Sequence, residues 1–341
     1  MTNNRRLPLI VVATLLPIAA LSYAFFLHSR GGTPDSKPSI PAAKPMAQVV
    51  ARVQALGGTL RIDGDAVEID LTQTAVSDED LALFSSLRGV RRLVLERTHI
   101  TDSGLAHIEQ MRDLWALDLM ETHVSAAGLA HLEALPKLEV LYLASAPVND
   151  YPGINDAGAR EIARCKGLRV LYLNRGAVTD EGIDHLSDLP RLETLVLQEA
   201  KLTGRALESF GRLPKLRELV LNGVPLTDAD LRHIGALRRL NTLNLDYTKC
   251  TNSGLANLMQ LRELTGLSIA YTSIGDEGLS HLARLEKLDS LCLMGTRISD
   301  KGIAVLGRMS SLKELYLEDT KLTVQGIASL REALPKTKIT P

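Results

Sequence analysis

Histidine is the residue type whose spacing in this sequence comes closest to a metal site. Five histidines recur at the same place of a repeated segment: His107, His131, His185, His233 and His281. Imidazole is a common metal ligand, so two neighbouring members of this column could share a divalent metal ion. No carboxylate or cysteine accompanies them at ligand spacing, and an exposed helix position explains the column without a metal. We therefore expect no metal site.

Aspartate forms a second column, which could bind a cation such as Ca²⁺. Its members are Asp78, Asp102, Asp180, Asp228, Asp276 and Asp300. Helix capping explains this column better, because a side-chain oxygen at the start of a helix accepts hydrogen bonds from its free N–H groups. The Thr or Ser one residue earlier could cap the same helices. We expect capping and not a calcium ladder.

The cysteines and the known catalytic motifs give no support for an enzyme. Cys165, Cys250 and Cys292 have no CxxC or Cys/His metal spacing. Cys165 and Cys250 replace core residues, whereas Cys292 is expected to be exposed on a strand. The sequence contains no nucleophile elbow, phosphate loop or zinc-protease motif. We expect a protein without catalytic activity or a cofactor; a metal-dependent enzyme built on the histidine column is the alternative.

The tyrosines indicate a binding surface. Tyr142 and Tyr172 take equivalent places in consecutive repeats, and Val196 and Val220 take that place in the next two. These four residues are predicted to form an apolar stripe that faces solvent, which is typical of a partner surface. The alternative is that tyrosine simply favours strands. The predicted site also includes, on the same strands and the loops after them, Asn174, Arg175, Asn222 and Tyr151.

The predicted surface depends on a repeated segment that runs from Ala66 to Pro335 in eleven units, ten of 24 residues and one of 30. In the unit VRRLVLERTHITDSGLAHIEQMRD, Leu93 and Leu95 take positions 4 and 6, an alternation that predicts a short strand. Apolar residues at positions 16, 19 and 22 predict a short helix. One unit cannot bury its apolar face alone, so the units must stack. We predict an α/β solenoid with a parallel sheet on its concave face and short helices on its convex face.

The pattern of Leu93, Leu95 and Thr98 resembles the leucine-rich repeat family, with its LxxLxLxxN/CxL consensus. The ITDxGL half is similar to the cysteine-containing subtype known from F-box proteins, in a 24-residue form common in bacterial proteins. The resemblance covers about four fifths of the chain. Thr replaces the consensus Asn or Cys at position 9 in seven units, and the middle four units have Ala146, Gly176, Ala200 and Val224 there. No F-box precedes the repeats, so the ubiquitin-ligase role of that subtype is not expected.

The N-terminal residues predict a membrane anchor. Residues 7–27 are apolar and uncharged, and a helix of this length would span about 30 Å, the thickness of a hydrocarbon core. Arg5 and Arg6 precede the segment, so residues 1–6 are expected in the cytoplasm and the repeats in the periplasm or outside the cell. The alternative is a cleaved signal peptide and a secreted protein.

The remaining segments are predicted to be a linker and two caps. Residues 28–46 contain four prolines and a Gly pair, which is typical of an extended spacer. Residues 47–65 are expected to form an N-terminal cap, with a helix that ends at Gly57-Gly58 and then a strand. Residues 336–341 are expected to form a polar C-terminal cap.

The unit of 30 residues has a surplus, VNDYPG, at residues 148–153. Ile154 takes position 11 of that unit, since only the second of its two similar triplets stands at the right distance from Gly158. The surplus therefore lies between the strand and the helix, beside Tyr142 and Tyr172. We interpret it as a lip of the binding site; a neutral insertion at a tolerant place is the alternative.

The charges favour a protein partner over nucleic acid. The chain has 39 basic and 40 acidic residues, which gives no electrostatic reason to bind nucleic acid. The carboxylates near the start of the repeats could favour a basic partner. We predict a membrane-anchored, non-enzymatic module that binds a protein or peptide on its concave face. The alternative is a structural envelope or adhesive component that binds cell-wall glycan or neighbouring cells. The carboxylates near the start of the repeats are Glu68, Asp70, Glu96, Asp118 and Glu121.

Overall fold

The computed structural model describes residues 44–144 and 154–341 of the chain. Every element given below belongs to the unit Ile40–Pro341. The predicted membrane segment and the 148–153 surplus, with Tyr151, lie outside the described residues.

The strands of the described residues form one sheet of 13 strands, which follow one another in chain order. Strand β1 pairs antiparallel with β2, and the later strands pair in parallel with their neighbours. This confirms the predicted solenoid with a parallel sheet. The strands are β1 Thr59–Asp63, β2 Ala66–Asp70, β3 Val90–Val94, β4 Ala116–Asp118, β5 Val140–Ala144, β6 Val170–Asn174, β7 Thr194–Val196, β8 Glu218–Val220, β9 Thr242–Asn244, β10 Gly266–Ser268, β11 Ser290–Cys292, β12 Glu314–Tyr316 and β13 Lys338–Thr340.

A short helical segment follows each strand from β2 to β12, as the apolar spacing predicts. Several of these segments consist partly of 3₁₀ helix, for example Ala130–Ala134 and Asp276–Gly278. The first helix begins at Lys44, within the segment predicted as a linker. The α-helices are α1 Lys44–Ala55, α2 Asp78–Phe84, α3 Asp102–Ile108, α4 Ala126–Leu129, α5 Asp156–Ile162, α6 Asp180–Leu186, α7 Gly204–Ser209, α8 Leu231–Gly235, α9 Asn252–Leu255, α10 Leu279–Leu282, α11 Ile303–Leu306 and α12 Val324–Ala333.

None of the helices within residues 44–144 and 154–341 is long and apolar enough to cross a membrane. This finding contradicts the predicted single-pass membrane localisation.

The strand register is constant from β3 to β13, and between β2 and β3 it shifts once, between Val67 and Glu68. Leu93 pairs with Leu117, 24 residues later, and Leu141 pairs with Leu171, 30 residues later. The longer unit therefore keeps its strand in line with its neighbours. This register agrees with a surplus that lies after the strand and not inside it, because a shift by one residue would turn a strand's side chains to the other face.

One continuous core runs between the sheet and the helices. The strand leucines of positions 4 and 6, such as Leu93 and Leu95, are fully buried in it, together with the helix residues Leu105 and Ile108. Each unit thus closes the apolar face of its neighbour, which is the energetic reason for stacking. Val49 and Val53 of α1 belong to the same core at the N-terminal end.

The aspartate column joins neighbouring units. Asp78 accepts hydrogen bonds from Thr101 in the next unit, at 3.0 Å from the backbone N–H and 2.6 Å from the hydroxyl. Thr101 itself is the N-cap of α3 and accepts from Ser103 N–H. The Thr or Ser at position 12 therefore caps the helix, whereas the Asp at position 13 forms a clasp with the next unit. The sequence offers both residues as candidate caps and does not separate the two roles. Similar clasps are formed by Asp102, Asp156, Asp180, Asp228, Asp276 and Asp300.

The glycine of the ITDxGL motif leaves space for this clasp. A Cβ atom on Gly182 would collide with Asp156 Oδ1 of the preceding unit. The exception is instructive: in the unit that begins at residue 216, position 15 is Asp230 and the preceding position 13 is Gly204. Asp230 accepts from the N–H and hydroxyl of Thr227 in its own unit, so here the carboxylate that bonds to position 12 comes from the same unit and not from the preceding one.

Candidate functional site

The predicted binding residues at positions 5 and 7 lie on the sheet face opposite the core, which we call the open sheet face. It consists of the side chains at positions 5 and 7 of the units, since positions 4 and 6 are turned into the core. Its central part contains Tyr142 and Tyr172 at position 5, with Asn174 at position 7 beside them.

Tyr142 and Tyr172 form a pair of tilted rings. They are register partners on β5 and β6, with ring centroids 4.7 Å apart and ring planes inclined by 52°. Both side chains are half-buried. This separation follows from the spacing of paired strands, about 4.8 Å, and it allows the favourable contact of non-parallel aromatic rings.

Val196 and Val220 continue the row of Tyr142 and Tyr172, but they do not face solvent as the sequence predicts. Their relative exposures are 4% and 5%. Short side chains on a sheet are covered by longer neighbours on adjacent strands and at adjacent positions, which hydrophobic spacing within one unit cannot reveal. The stripe therefore has an accessible aromatic part and a covered aliphatic part.

Two amide side chains of the central region have an unsatisfied oxygen. The Oδ1 atoms of Asn174 and Asn222 are buried and have no hydrogen-bond partner among the described residues. Asn222 as a whole is only 3% exposed. A buried acceptor without a donor costs about 1–3 kcal/mol, so these amides need either an explanation or a partner.

Arg175 lies at the rim, directly after β6. It has a left-handed backbone conformation, with φ of 54°, and its guanidinium is 3.4 Å from Glu199 Oε2. Both side chains are exposed, so this ion pair contributes little to stability. The same arrangement recurs between Arg97 and Glu121, at 2.9 Å.

Position 8, where Arg175 stands, is left-handed in every unit in which the structure describes that residue. Only two of these positions are glycine, Gly223 and Gly295. A left-handed conformation costs about 1–2 kcal/mol for a residue with a Cβ atom. The turn after the strand therefore imposes the left-handed backbone at position 8, whichever side chain stands there. The other residues in this conformation are Gln73, Arg97, Glu121, Glu199, Tyr247, Tyr271 and Asp319.

A buried carboxylate borders the central tyrosines on the N-terminal side. Asp118 is the register partner of Tyr142 and is 8% exposed. Burial raises the pKa of this carboxyl to about 7, against a smaller lowering effect of the hydrogen bond from Met120 N–H. The nearby Glu96 carboxylate also raises the pKa, so Asp118 titrates near neutral pH.

A second pair of tyrosines, Tyr247 and Tyr271, lies further along the rim and is not part of the predicted site. Their rings are stacked, with centroids 4.7 Å apart and an angle of 10° between the planes. Their exposures are 38% and 36%. The sequence places both at position 8, and the signal that could have identified them is two large aromatic residues at consecutive places of a turn position.

The cysteines and histidines are placed as follows. Cys165 and Cys250 are buried, as predicted, but Cys292 is also buried, so the prediction that it is exposed is wrong. Burial raises the pKa of the Cys292 thiol to about 11. Cys292 stands at position 5, like the buried residues Val196 and Val220. The histidine column lies on the helical side, where His131 Nδ1 is 2.5 Å from Glu109 Oε1. No group of three metal-ligating side chains occurs in the described part of the chain.

Comparison with known proteins supports the fold. An internalin (inlF) from Listeria monocytogenes matches with a TM-score of 0.57 and 18% identity, over 90% of this chain and 98% of the internalin. An internalin C2 (inlC2) from the same species has a TM-score of 0.46 and 22% identity, over 74% of this chain and 93% of the other; this second likeness is too weak to support a conclusion. Internalins are leucine-rich repeat proteins, so the chain has a leucine-rich repeat fold. No family model matches the sequence, and no curated protein sequence does either.

Proposed function

We propose that the protein is an interaction module that binds an extended segment of a partner protein or peptide on the central part of its open sheet face. The observation that carries this proposal is the coincidence of an accessible tyrosine pair with unsatisfied amide oxygens. Tyr142 and Tyr172 supply the apolar area, and Asn174 and Asn222 supply the acceptors.

The tyrosine pair suits a protein ligand. Tyrosine combines a large apolar ring with a polar hydroxyl and loses little conformational entropy when it is immobilised, which explains its enrichment at interfaces. The two rings are half-buried, so part of each is already fixed by neighbours. A partner that covers the remaining area would gain the stabilisation typical of an interface anchor, about 2 kcal/mol or more for the pair.

The unsatisfied amides favour a ligand with backbone N–H groups. In an extended peptide, such groups recur at every second residue on one side. Rotation of the Asn174 or Asn222 amide towards the ligand would let its Oδ1 accept from such a group. The cost of about 1–3 kcal/mol for each unsatisfied oxygen in the free protein would then be removed on binding.

A peptide selection with the full-length chain tests the proposal. Peptides selected from a randomised library on the wild-type protein would be titrated against the Tyr142→Ala/Tyr172→Ala variant. We expect binding about 30-fold weaker, the equivalent of about 2 kcal/mol. A matched control, Arg238→Ala/Glu286→Ala, removes two exposed side chains from turns that lie between a helix and the next strand and should bind like the wild type.

Photo-crosslinking places the bound peptide. A photoreactive phenylalanine analogue at position 142 should crosslink to the selected peptide, and the same analogue at position 238 should not. Equal affinity of the wild type and the double tyrosine variant, together with no crosslink from position 142, would contradict the proposal.

A further inference from the structure

The position-8 column, which forms the rim of the open sheet face, changes its charge pattern along the sheet. In the N-terminal and central units its side chains form ion pairs, Arg97 with Glu121 and Arg175 with Glu199. In the last four units the column reads Tyr247, Tyr271, Gly295, Asp319. Acidic and aromatic groups remain there, and the arginine that pairs with a carboxylate elsewhere is absent from this part of the column.

The two tyrosines in this part are held in a fixed stack. Each has a left-handed backbone, with φ of 57° and 54°, and the rings lie nearly parallel. Gly295 in the next unit makes room for the stack, since a Cβ atom there would meet the ring of Tyr271. Tyr271 donates a hydrogen bond to Asp319 Oδ2 at 3.3 Å, which ties the stack to the last unit.

Within the part of the chain that the structure describes, the carboxylates beside the stack form no ion pair. Among the ion pairs of the described residues, none includes Glu314, Glu318 or Asp319. Glu318 also has a buried Oε2 without a hydrogen-bond partner. Three basic side chains stand two residues after the column, at position 10: Lys249, Arg297 and Lys321. Arg297 donates to Ser273 Oγ at 3.5 Å, and Lys338 is the register partner of Glu314.

An apolar floor lies next to these groups on the open sheet face. Ala270, Cys292 and Met294 form a small cluster separate from the main core, with Tyr316 packed against it. The aliphatic part of a long basic side chain could lie on such a floor while its charged end reaches a carboxylate.

Burial raises the pKa of Tyr247 to about 12, with further effects of Tyr271 and of the Asp246 carboxylate, so this phenol is neutral at physiological pH.

We propose that a tyrosine ledge binds an arginine side chain of a partner protein. The ledge consists of Tyr247 and Tyr271 with Glu318 and Asp319. A guanidinium is planar, stacks on aromatic faces and donates to carboxylates with fixed geometry. Its attraction to the ring face adds to its attraction to the unpaired carboxylates. The bound guanidinium would give Asp319 and Glu318 the positive partner that Glu121 and Glu199 find within the column.

The test compares two capped pentapeptides, Gly-Arg-Gly-Arg-Gly and the same peptide with citrulline in place of arginine, titrated into the full-length protein. Citrulline keeps the shape of arginine without its charge. We expect the arginine peptide to bind at least about ten-fold more tightly, and its affinity to decrease as the salt concentration rises. Asp319→Asn should weaken the arginine peptide and leave the citrulline peptide unchanged.

Two double variants locate the site. Tyr247→Ala/Tyr271→Ala should weaken the arginine peptide at least about ten-fold, whereas Tyr142→Ala/Tyr172→Ala should leave it unchanged. Tyr247→Phe/Tyr271→Phe keeps both ring faces and should retain most of the affinity, which separates loss of the ledge from a folding defect. Equal binding of the two peptides to the wild type, or equal effects of the two alanine variants, would overturn the proposal. Neither result would bear on the central site, since that site does not require arginine.

Discussion

The two tyrosine pairs of the sheet have the same ring separation and different surroundings. Both separations are 4.7 Å, because parallel strands of neighbouring units are about 4.8 Å apart. Tyr142 and Tyr172 lie on strands at position 5 and are half-buried, whereas Tyr247 and Tyr271 lie after strands at position 8 and are exposed. The repeat thus sets the distance between side chains, and the position within the unit decides their exposure and chemistry.

The largest difference between the two regions is expected in the carboxylate beside each pair. Asp118, beside Tyr142, has a pKa raised to about 7 by burial, and Met120 N–H is its backbone donor. Its folded-state pKa exceeds its unfolded value, so its contribution to stability is full below about pH 4 and is lost as the pH rises to about 7. The loss is on the order of 4 kcal/mol. Asp118→Asn should be more stable than the wild type at pH 8 and show a flatter dependence on pH in urea unfolding.

The matched control for this prediction is Asp246, beside the second pair. Burial also raises the pKa of Asp246, but hydrogen bonds from Ser268, Ala270 N–H and Asn244 oppose this effect. Asp246→Asn should therefore stabilise the protein less at pH 8 than Asp118→Asn, because the amide cannot accept from all three donors. A larger gain for Asp246→Asn would contradict the comparison.

The next largest difference between the two regions is expected in the free energy of unfolding when the glycine beside each clasp is replaced by alanine. A Cβ atom on Gly182, in the unit of Tyr172, would collide with Asp156 and lie 2.7 Å from Val178 Cγ1. On Gly278, in the unit of Tyr271, it would lie 2.9 Å from Asn252 Oδ1. We expect Gly182→Ala to lower the free energy of unfolding by about 2 kcal/mol and Gly278→Ala by less than about 1 kcal/mol. Thermal and urea unfolding of the two variants would measure this, and equal losses would refute the comparison.

A smaller effect, confined to one pair, is expected from Gly295→Ala. The added methyl group meets the ring of Tyr271 and occupies a left-handed backbone position with φ of 63°. The ring must move off its stack, so the arginine peptide should bind about five- to ten-fold more weakly. The peptide selected on the central site should bind as before. Weaker binding of both peptides would mean that the two regions are coupled.

The smallest effect is expected at the exposed ion pair of Arg175. Removal of its charge in Arg175→Gln should change the free energy of unfolding by less than about 0.5 kcal/mol, since the partner Glu199 is also exposed. If Arg175→Gln binds the selected peptide clearly more weakly while its free energy of unfolding is unchanged, Arg175 belongs to the central site. Unchanged affinity would remove it from that site.

The sequence predicted the repeat and the strand register because both depend on local spacing. The leucines of positions 4 and 6 are in the core, and Leu141 pairs with Leu171 across the longer unit. The burial of Val196 and Cys292 could not be predicted, because it depends on the side chains of neighbouring strands. The left-handed turn at position 8 could not be predicted either, since tyrosine and arginine occupy it as well as glycine.

The clasp at position 13 shows a different limit of the sequence. Aspartate before a helix is compatible with capping and with contact to the next unit, and one unit alone does not distinguish them. The pairing of Asp156 with Gly182, and its reversal at Gly204 and Asp230, contains the missing information. Comparison of consecutive units, position by position, would have revealed it.

We propose above that the Tyr142–Tyr172 part of the open sheet face binds a partner peptide. The most direct measurement is the affinity of one peptide selected on the wild-type protein for the two alanine double variants, by calorimetric titration. We predict about 30-fold weaker binding to Tyr142→Ala/Tyr172→Ala and unchanged binding to Arg238→Ala/Glu286→Ala. Equal affinity of both variants would contradict binding of the peptide at the Tyr142–Tyr172 pair.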